Sequence, residues 1–495
     1  MQRLYRNTLP EVFRKTLVLF FFAFTLYPHL SFAKVVSEEW MEIRMNSSKI
    51  GFTYQKIEKT GEGYKITSKS LMKFEMNGAT QEVSTSHTYY LDQNKRPKSF
   101  TYMQKMLNHR QYFDGEITDN SVNMTIRSGG NVTRKTIPFS DNANLADAIN
   151  FLLGDLELKT GAKYEFTVFM ESLLSMESIS VEVGEKTTII YNGKPTEVYE
   201  VKSKFQTFFV TSYVTPDGKT LKEVSPLGFT SLAVDEKVAL SFKEGVMPFT
   251  QILAFSLIPV KTPIIDKEKI YKMVVHVNGL SSEGLIPSDY RQAARTIKEN
   301  NKSEHDRFQI EINTTKGSEK DIPNTFAPVT DKEFAEHLKP TFEAQSDDPA
   351  ISRKASLIAG KEKNAYKKAQ LINTWVHKNV KKSYLDTFSA VETLRTMEGE
   401  CQSHTNLFTA LARAEGIPTK TVSGIVYSED FGGFLYHAWP EIYVGRWIAI
   451  DPTLGQEIAD ATHIKLIEGE LSKQLQLFEF IGKIGIEIKR IERGR

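Results

Sequence analysis

Cysteine is nearly absent from this chain of 495 residues, and Cys401 is its only one. That excludes a disulfide framework and leaves no cysteine pair at zinc-ligand spacing. Charge of either sign is not in excess, with 63 Lys and Arg against 61 Asp and Glu. Low-complexity segments and long like-charge runs are missing too. No glycine-rich loop is built to cradle phosphate, because "GDLELKTG" lacks the Lys-Ser/Thr that would have to follow. The apolar run "LVLFFFAFTLY" at Leu17–Tyr27 has about 11 residues, short of the roughly 20 that cross a bilayer as a helix.

That short run has the form of a secretory leader. Arg3, Arg6, Arg14 and Lys15 precede it, Pro28 breaks it, and the small residues Ser31 and Ala33 suit the −3 and −1 positions of a cleavage site. The pattern predicts a signal peptide over residues 1–33 and a mature chain from near Lys34, exported to the periplasm or the medium. No stable membrane span is expected once the leader is removed, and the residue directly after the cleavage site is Lys34, not a cysteine that could carry a lipid. The leader accounts for +3 of a whole-chain charge of +2, which leaves the remainder near −1. Such a balance points to no nucleic-acid or anionic-membrane partner.

The fold class predicted is multidomain α+β. Residues 34–255 read as an antiparallel β-rich domain, a sandwich or open barrel. "GYKITSKSLMKFEM", "TQEVSTSHTYYLD", "PKSFTYMQKM" and "EVYEVKSKFQTFFVTSYV" alternate β-branched and aromatic residues between "GEG", "DQNKRP", "NGK" and "PDGK" turns. One helix is expected within it, "NLADAINFLLG", with Asn144 as cap and Gly154 as stop. Residues 256–320 read as a smaller β element, in which "KIYKMVVHVNGL" and "DRFQIEINTT" are strands and "SDYRQAARTIKEN" a short helix. Residues 321–495 form the third unit. Asp348, Pro349 and Gly360 punctuate one helix in it, and Tyr366, Ala369, Ile372 and Val376 make the apolar stripe of the next.

Within that unit, "GECQSHTNLFTALARAEGIP" starts a helix at or just after Cys401 and ends it at Gly416 and Pro418. A thiol in the first turn of a helix lies near unsatisfied N–H groups and the positive end of the dipole, which favours thiolate. A strand follows, then "HAWPEIYV" and "RWIAIDPT", which supply His437 at the start of one strand and Asp451 at the end of the next. A cysteine nucleophile needs a base within hydrogen-bond reach and a third group to orient that base. His404 completes a "CQSH" cluster, but a structural role at the helix start fits it better than metal binding.

"GECQSHTNLFTALARAEGIPTKTVSG", "HAWPEIYVGRWIAIDPT" and "DATHIKL" resemble the bacterial transglutaminase-like (transglutaminase/protease-like) superfamily, a branch of the papain-like cysteine enzymes. The likeness runs over about Asp348 to Leu466. It implies a papain-like catalytic domain, a helix packed on a small antiparallel sheet, with Cys401 as nucleophile, His437 as general base and Asp451 as orienting carboxylate. It also implies an oxyanion hole built from the Cys401 N–H and one further donor, for which Tyr384 and Gln402 are weak candidates. No metal or organic cofactor is required. The expected function is an exported acyl-transfer enzyme acting on peptide, isopeptide or carboxamide bonds of a protein or peptide substrate in the cell envelope, with hydrolysis the preferred outcome. The alternatives are a cross-linking transglutaminase and an envelope binding protein in which the β domain carries the main role. The substrate and the oligomeric state stay open.

The geometry hinges on one register. A two-residue turn at Gly445 and Arg446 would pair Val444 with Trp447 and put His437 and Asp451 on opposite faces. The aliphatic set Ile442, Val444, Ile448 and Ile450 shares a face only when Tyr443 pairs with Trp447 through a three-residue connection. His437 and Asp451 then project from one face, and Asp451→Ala is expected to cut turnover while sparing the fold.

Overall fold

The computed structural model describes residues 34–494 except 46–47, 77–78, 107–108, 157, 207, 227, 243–246, 248–255, 281–285, 298–305, 315–321, 384–386, 388 and 470. The leader expected at 1–33 and the oxyanion candidate Tyr384 lie outside the described residues. Among the described residues, no helix is long and apolar enough to cross a membrane.

A sheet of 15 strands occupies the N-terminal part of the chain. Its first eight strands, from Lys34–Met45 to Asn131–Pro138, are neighbours in chain order and antiparallel. The remaining seven, from Asn144–Leu145 to Phe229–Ala233, are likewise neighbours in chain order, and the last pairs with the first, Met41 opposite Ala233. The sheet curls, because Leu145, Ala148 and Phe169 near one end of this order share a buried core with Phe100, Phe113 and Val122 near the other. The helix expected at 144–154 is shorter than its sequence suggests. Asn144 joins a two-residue strand parallel to Lys163–Met170, and only Ile149–Leu153 is α-helical, with Gly154 as C-cap.

The segment after residue 256 builds into the C-terminal unit. Ile258–Pro259 pairs with the strand Gly433–Tyr443, and Ile270–Leu280 lies between Asp306–Asn313 and the C-terminal strand Gly485–Arg493. One core joins Met273, Val275, Ile310 and Ile312 to Ile425, Phe434 and Ile464, so two sheets pack face to face there. The helix expected in "SDYRQAARTIKEN" is instead a strand, Gln292–Ile297, paired with Asp306–Asn313. Its pairing outweighs the helix preference of the Ala-Ala pair: Gln292 is buried and its amide donates to the Pro287 and Lys465 carbonyls at 2.7 and 2.8 Å.

The helices follow their local signals. Pro349–Ala359 is capped by Asp348, whose carboxylate accepts the Ala350 N–H at 2.7 Å, and it stops at Gly360. Asn364 caps Ala365–Asn379 and Ser389 caps Ala390–Thr396. These three helices surround a fourth, Cys401–Ala414, buried from Ser403 to Arg413, against the sheet made of Thr419–Ser428, Gly433–Tyr443, Trp447–Ala449 and Ile464–Glu468. The β-rich region meets this unit at Glu392, which is buried beneath His109 Nδ1 at 3.0 Å and Ser128 Oγ at 3.3 Å.

Candidate active site

Cys401 is the first residue of its helix and is half-buried. The turn that delivers it needs a glycine. Gly399 has φ +155°, and a Cβ there would lie 2.2 Å from the Ser403 Cβ. Ser403 Oγ accepts the Thr387 N–H at 2.8 Å, which ties the first turn to the preceding loop. His404 is buried in the same turn, with its ring nitrogens 2.9 Å from the Glu400 carbonyl and 3.2 Å from the Val380 carbonyl. It therefore braces the helix start. The Gln402 amide runs along the helix and donates to Asn406 Oδ1 at 2.9 Å.

One turn further, Thr405 Oγ1 donates to the Ala438 carbonyl at 3.0 Å. This bond fixes the cysteine helix against the strand that carries His437. Cys401 and His437 line one cleft of about 460 Å³, together with Lys382, Tyr436, Thr453 and Leu454. The 256–269 segment forms part of its rim through Ser256 and Lys267. Two hydroxyls in the lining, Tyr436 Oη and Thr453 Oγ1, are buried without a hydrogen-bond partner among the described residues. They are groups that a bound substrate could engage.

His437 and Asp451 meet. Tyr443 pairs with Trp447 and Ile442 with Ile448, the register that a three-residue connection requires. Gly445 adopts φ +86° in that connection, and Ile442, Val444, Ile448 and Ile450 all enter the core packed on the helices. On the opposite face His437 Nε2–H donates to Asp451 Oδ2 at 2.8 Å. That bond fixes the tautomer and leaves Nδ1 as the nitrogen free of the carboxylate. Trp439 is buried beside this pair, its ring stacked on His437 with centroids 6.1 Å apart, in a small core with Val422, Ala449 and Ala459.

Asp451 is fully buried and accepts four hydrogen bonds. Besides His437, its Oδ1 takes the Thr453 and Leu454 N–H groups at 2.7 and 3.0 Å, and its Oδ2 takes His463 Nε2–H at 3.0 Å. Burial alone would raise its pKa, but the two imidazoles outweigh burial and hold the carboxyl well below its ordinary range. His463 was not singled out by the sequence. Its signal was the Asp-x-x-His spacing of "DATH", which places Asp460 Oδ1 3.3 Å from His463 Nδ1. Burial opposes the charge on His463, yet Asp460 and Asp451 together raise its pKa above the ordinary histidine value.

His437, Asp451 and His463 present ligand-type atoms within 4.8 Å of one another, as do Asp289, Glu441 and Glu468. In the first group both imidazoles are already bonded to the same carboxylate oxygen. In the second the Lys465 ammonium sits among the three carboxylates, 3.0 Å from Glu441 and in contact with Asp289 and Glu468.

The model of the Transglutaminase-like superfamily matches residues 352–452. The chain carries a transglutaminase-like domain. That match includes Cys401, His437 and Asp451 and leaves the 15-stranded sheet outside it. An uncharacterized protein of Haemophilus influenzae is 33% identical over 110 residues, which are 20% of this chain and 30% of that one. The chain thus spans less than a third of that relative's length. Among solved structures, a candidate cysteine protease of Cytophaga hutchinsonii is 18% identical with a TM-score of 0.30, over 45% of this chain and 88% of that one. A β-barrel-like protein of Brucella abortus, of the domain of unknown function DUF1849, is 13% identical with a TM-score of 0.31, over 40% of this chain and 93% of that one. The family match thus describes the domain at residues 352–452.

Proposed function

We propose that the protein is an exported cysteine acyl-transfer enzyme of the cell envelope, and that its net reaction is hydrolysis of peptide, isopeptide or carboxamide bonds. The observation that carries this reading is the 2.8 Å bond from His437 Nε2–H to Asp451, beside a cleft that His437 shares with Cys401 at a helix N-terminus. In the reaction, the Cys401 thiolate attacks the substrate carbonyl and the His437 imidazolium gives its Nδ1 proton to the departing amine. The C–N bond breaks and a thioester on Cys401 remains. His437, now neutral, takes a proton from water, whose oxygen attacks the thioester and releases a carboxylic acid and the thiolate. Backbone N–H groups at the helix start, that of Cys401 among them, stabilise the oxyanion of both tetrahedral intermediates. An amine in place of water would give transamidation.

A second reading is supported by a groove of about 450 Å³ on the β-rich region, lined by polar side chains such as Glu39, Gln55, Asn150 and Thr220. In that case the β domain holds a ligand and the transglutaminase-like domain is accessory. Labelling with a thiol probe separates the two. Folded protein should alkylate at Cys401 at pH 6 faster than the same chain in urea, and His437→Ala should remove the difference. Failure of the folded wild type to label would sink the enzyme reading. Comparing envelopes with and without Cys401 then decides the reaction: new termini mean hydrolysis, and cross-linked peptides mean transfer.

A further inference from the structure

His463 and Asp460 lie outside the proposed triad, and neither faces the cleft. Both ring nitrogens of His463 nevertheless meet groups that can only accept. Nε2 is 3.0 Å from Asp451 Oδ2, and Nδ1 is 3.2 Å from the Asp460 carbonyl and 3.3 Å from its Oδ1. A neutral imidazole would aim a lone pair at one of these oxygens, so the ring carries two protons. Asp460 is itself pinned as an acceptor. Its Oδ1 takes the Thr462 N–H and hydroxyl at 2.8 and 2.5 Å, and its Oδ2 takes Gln456 Nε2–H at 2.7 Å.

We propose that His463 is a positioning residue, a buried cation that holds Asp451 Oδ2 in place and limits by its charge how far up in pH the His437 imidazolium persists opposite Cys401. The inference rests on the acyl-transfer reading of Cys401 and His437. The two imidazoles share one carboxylate oxygen, and their ring centroids are 5.8 Å apart. A cation at that distance in a buried setting opposes a second one appreciably. Other charges face the pair as well. Asp451 lies between the two rings. Arg291 donates to the Asp460 carbonyl at 2.7 Å, His377 packs on Gly455, and Lys465 is offset by its three carboxylates. From the cleft side come Cys401, Lys267, Lys382, Glu400, Glu429 and Asp430. Among the described residues, only His463 puts a cation on the carboxylate oxygen that His437 uses.

The test is the rate of Cys401 alkylation by iodoacetate across about pH 4 to 10, read by intact mass on the full mature chain. This anionic reagent reacts fastest while the imidazolium is present, so the rate falls on an alkaline limb. His463→Gln keeps an N–H for Asp451 and removes the charge. The alkaline limb should move up by about one pH unit with the maximal rate within about threefold of wild type. His463→Leu should lose more than about tenfold in that rate. An unmoved limb in the Gln variant, with only a lower Tm, would make His463 a purely structural residue and overturn the proposal. A wild type with no advantage over unfolded chain would overturn the acyl-transfer reading, and the proposal with it. Imidazole nitrogen NMR of the wild type needs no variant. The His463 ring should stay doubly protonated at a pH where an ordinary histidine is neutral, and a neutral His463 ring there would likewise overturn the proposal.

Discussion

Asp451→Asn probes the site with the smallest change of shape. The carboxylate receives the Thr453 and Leu454 N–H groups on one oxygen and the Nε2–H groups of His437 and His463 on the other. An asparagine can keep its carbonyl on the backbone pair, but its NH2 then faces two imidazole N–H groups. Only a tautomer switch relieves that clash of donors, and for His437 the switch puts the proton on Nδ1, where it can no longer accept one from the thiol. A base locked in the wrong tautomer has cost about 10⁴ in turnover in a serine protease triad, and a loss of roughly 10³ to 10⁴ is expected here. The fold is not spared. Removing one partner of a buried charged pair costs about 3–5 kcal/mol, because His463 is left buried with its charge unmatched on one side. For a domain of this size that lowers the Tm by roughly 10 °C. This revises the expectation drawn from the sequence that the carboxylate could be removed at no cost to the fold. The assay is iodoacetamide labelling of the single cysteine at pH 6, measured below the variant's Tm with an unfolded control. A variant that labels at the wild-type rate would refute the role given to Asp451.

Cys401→Ala should abolish turnover and shift stability by no more than about 0.5 kcal/mol, since the side chain is half-buried at a helix start; a large fall in Tm would make the thiol structural. Asp451 and Asp460 both titrate below their ordinary values, so the stability they contribute is present above about pH 4 and is lost as pH falls through their folded values. His463 titrates above its ordinary value, so its contribution is complete below about pH 6.5 and is lost as pH rises through its folded value. Tm against pH should therefore decline on both sides, and His463→Gln should flatten the alkaline decline and weaken the acid one, because His463 also holds Asp460 and Asp451 down. Gly445→Ala should destabilise the hairpin by roughly 1–3 kcal/mol, because φ is +86° and the new Cβ would meet Pro323 Cβ at 2.6 Å. Urea titration checks this, and an unchanged midpoint would mean that another connection can supply the same register.

What the sequence determined by itself was whatever short-range signals can carry. Asp348, Asn364 and Ser389 cap helices because a side-chain oxygen reaches an N–H two or three residues on, which depends on nothing distant. The hairpin register was legible for the same reason. Only one pairing buries Ile442, Val444, Ile448 and Ile450 together, and that pairing turns His437 and Asp451 to one face. Tertiary structure decided the rest. Gln292–Ile297 reads as helix in isolation and becomes a strand because Asp306–Asn313 offers it a ladder. His463 reaches Asp451 because Ile464 pairs with Ile425 in the strand Thr419–Ser428, where Gly424 allows an approach that any Cβ would block, 2.0 Å from the Ile464 carbonyl. No periodicity or cap in "DATH" encodes that meeting, because the free energy that enforces it lies in strand pairing and burial between segments about 40 residues apart in the chain.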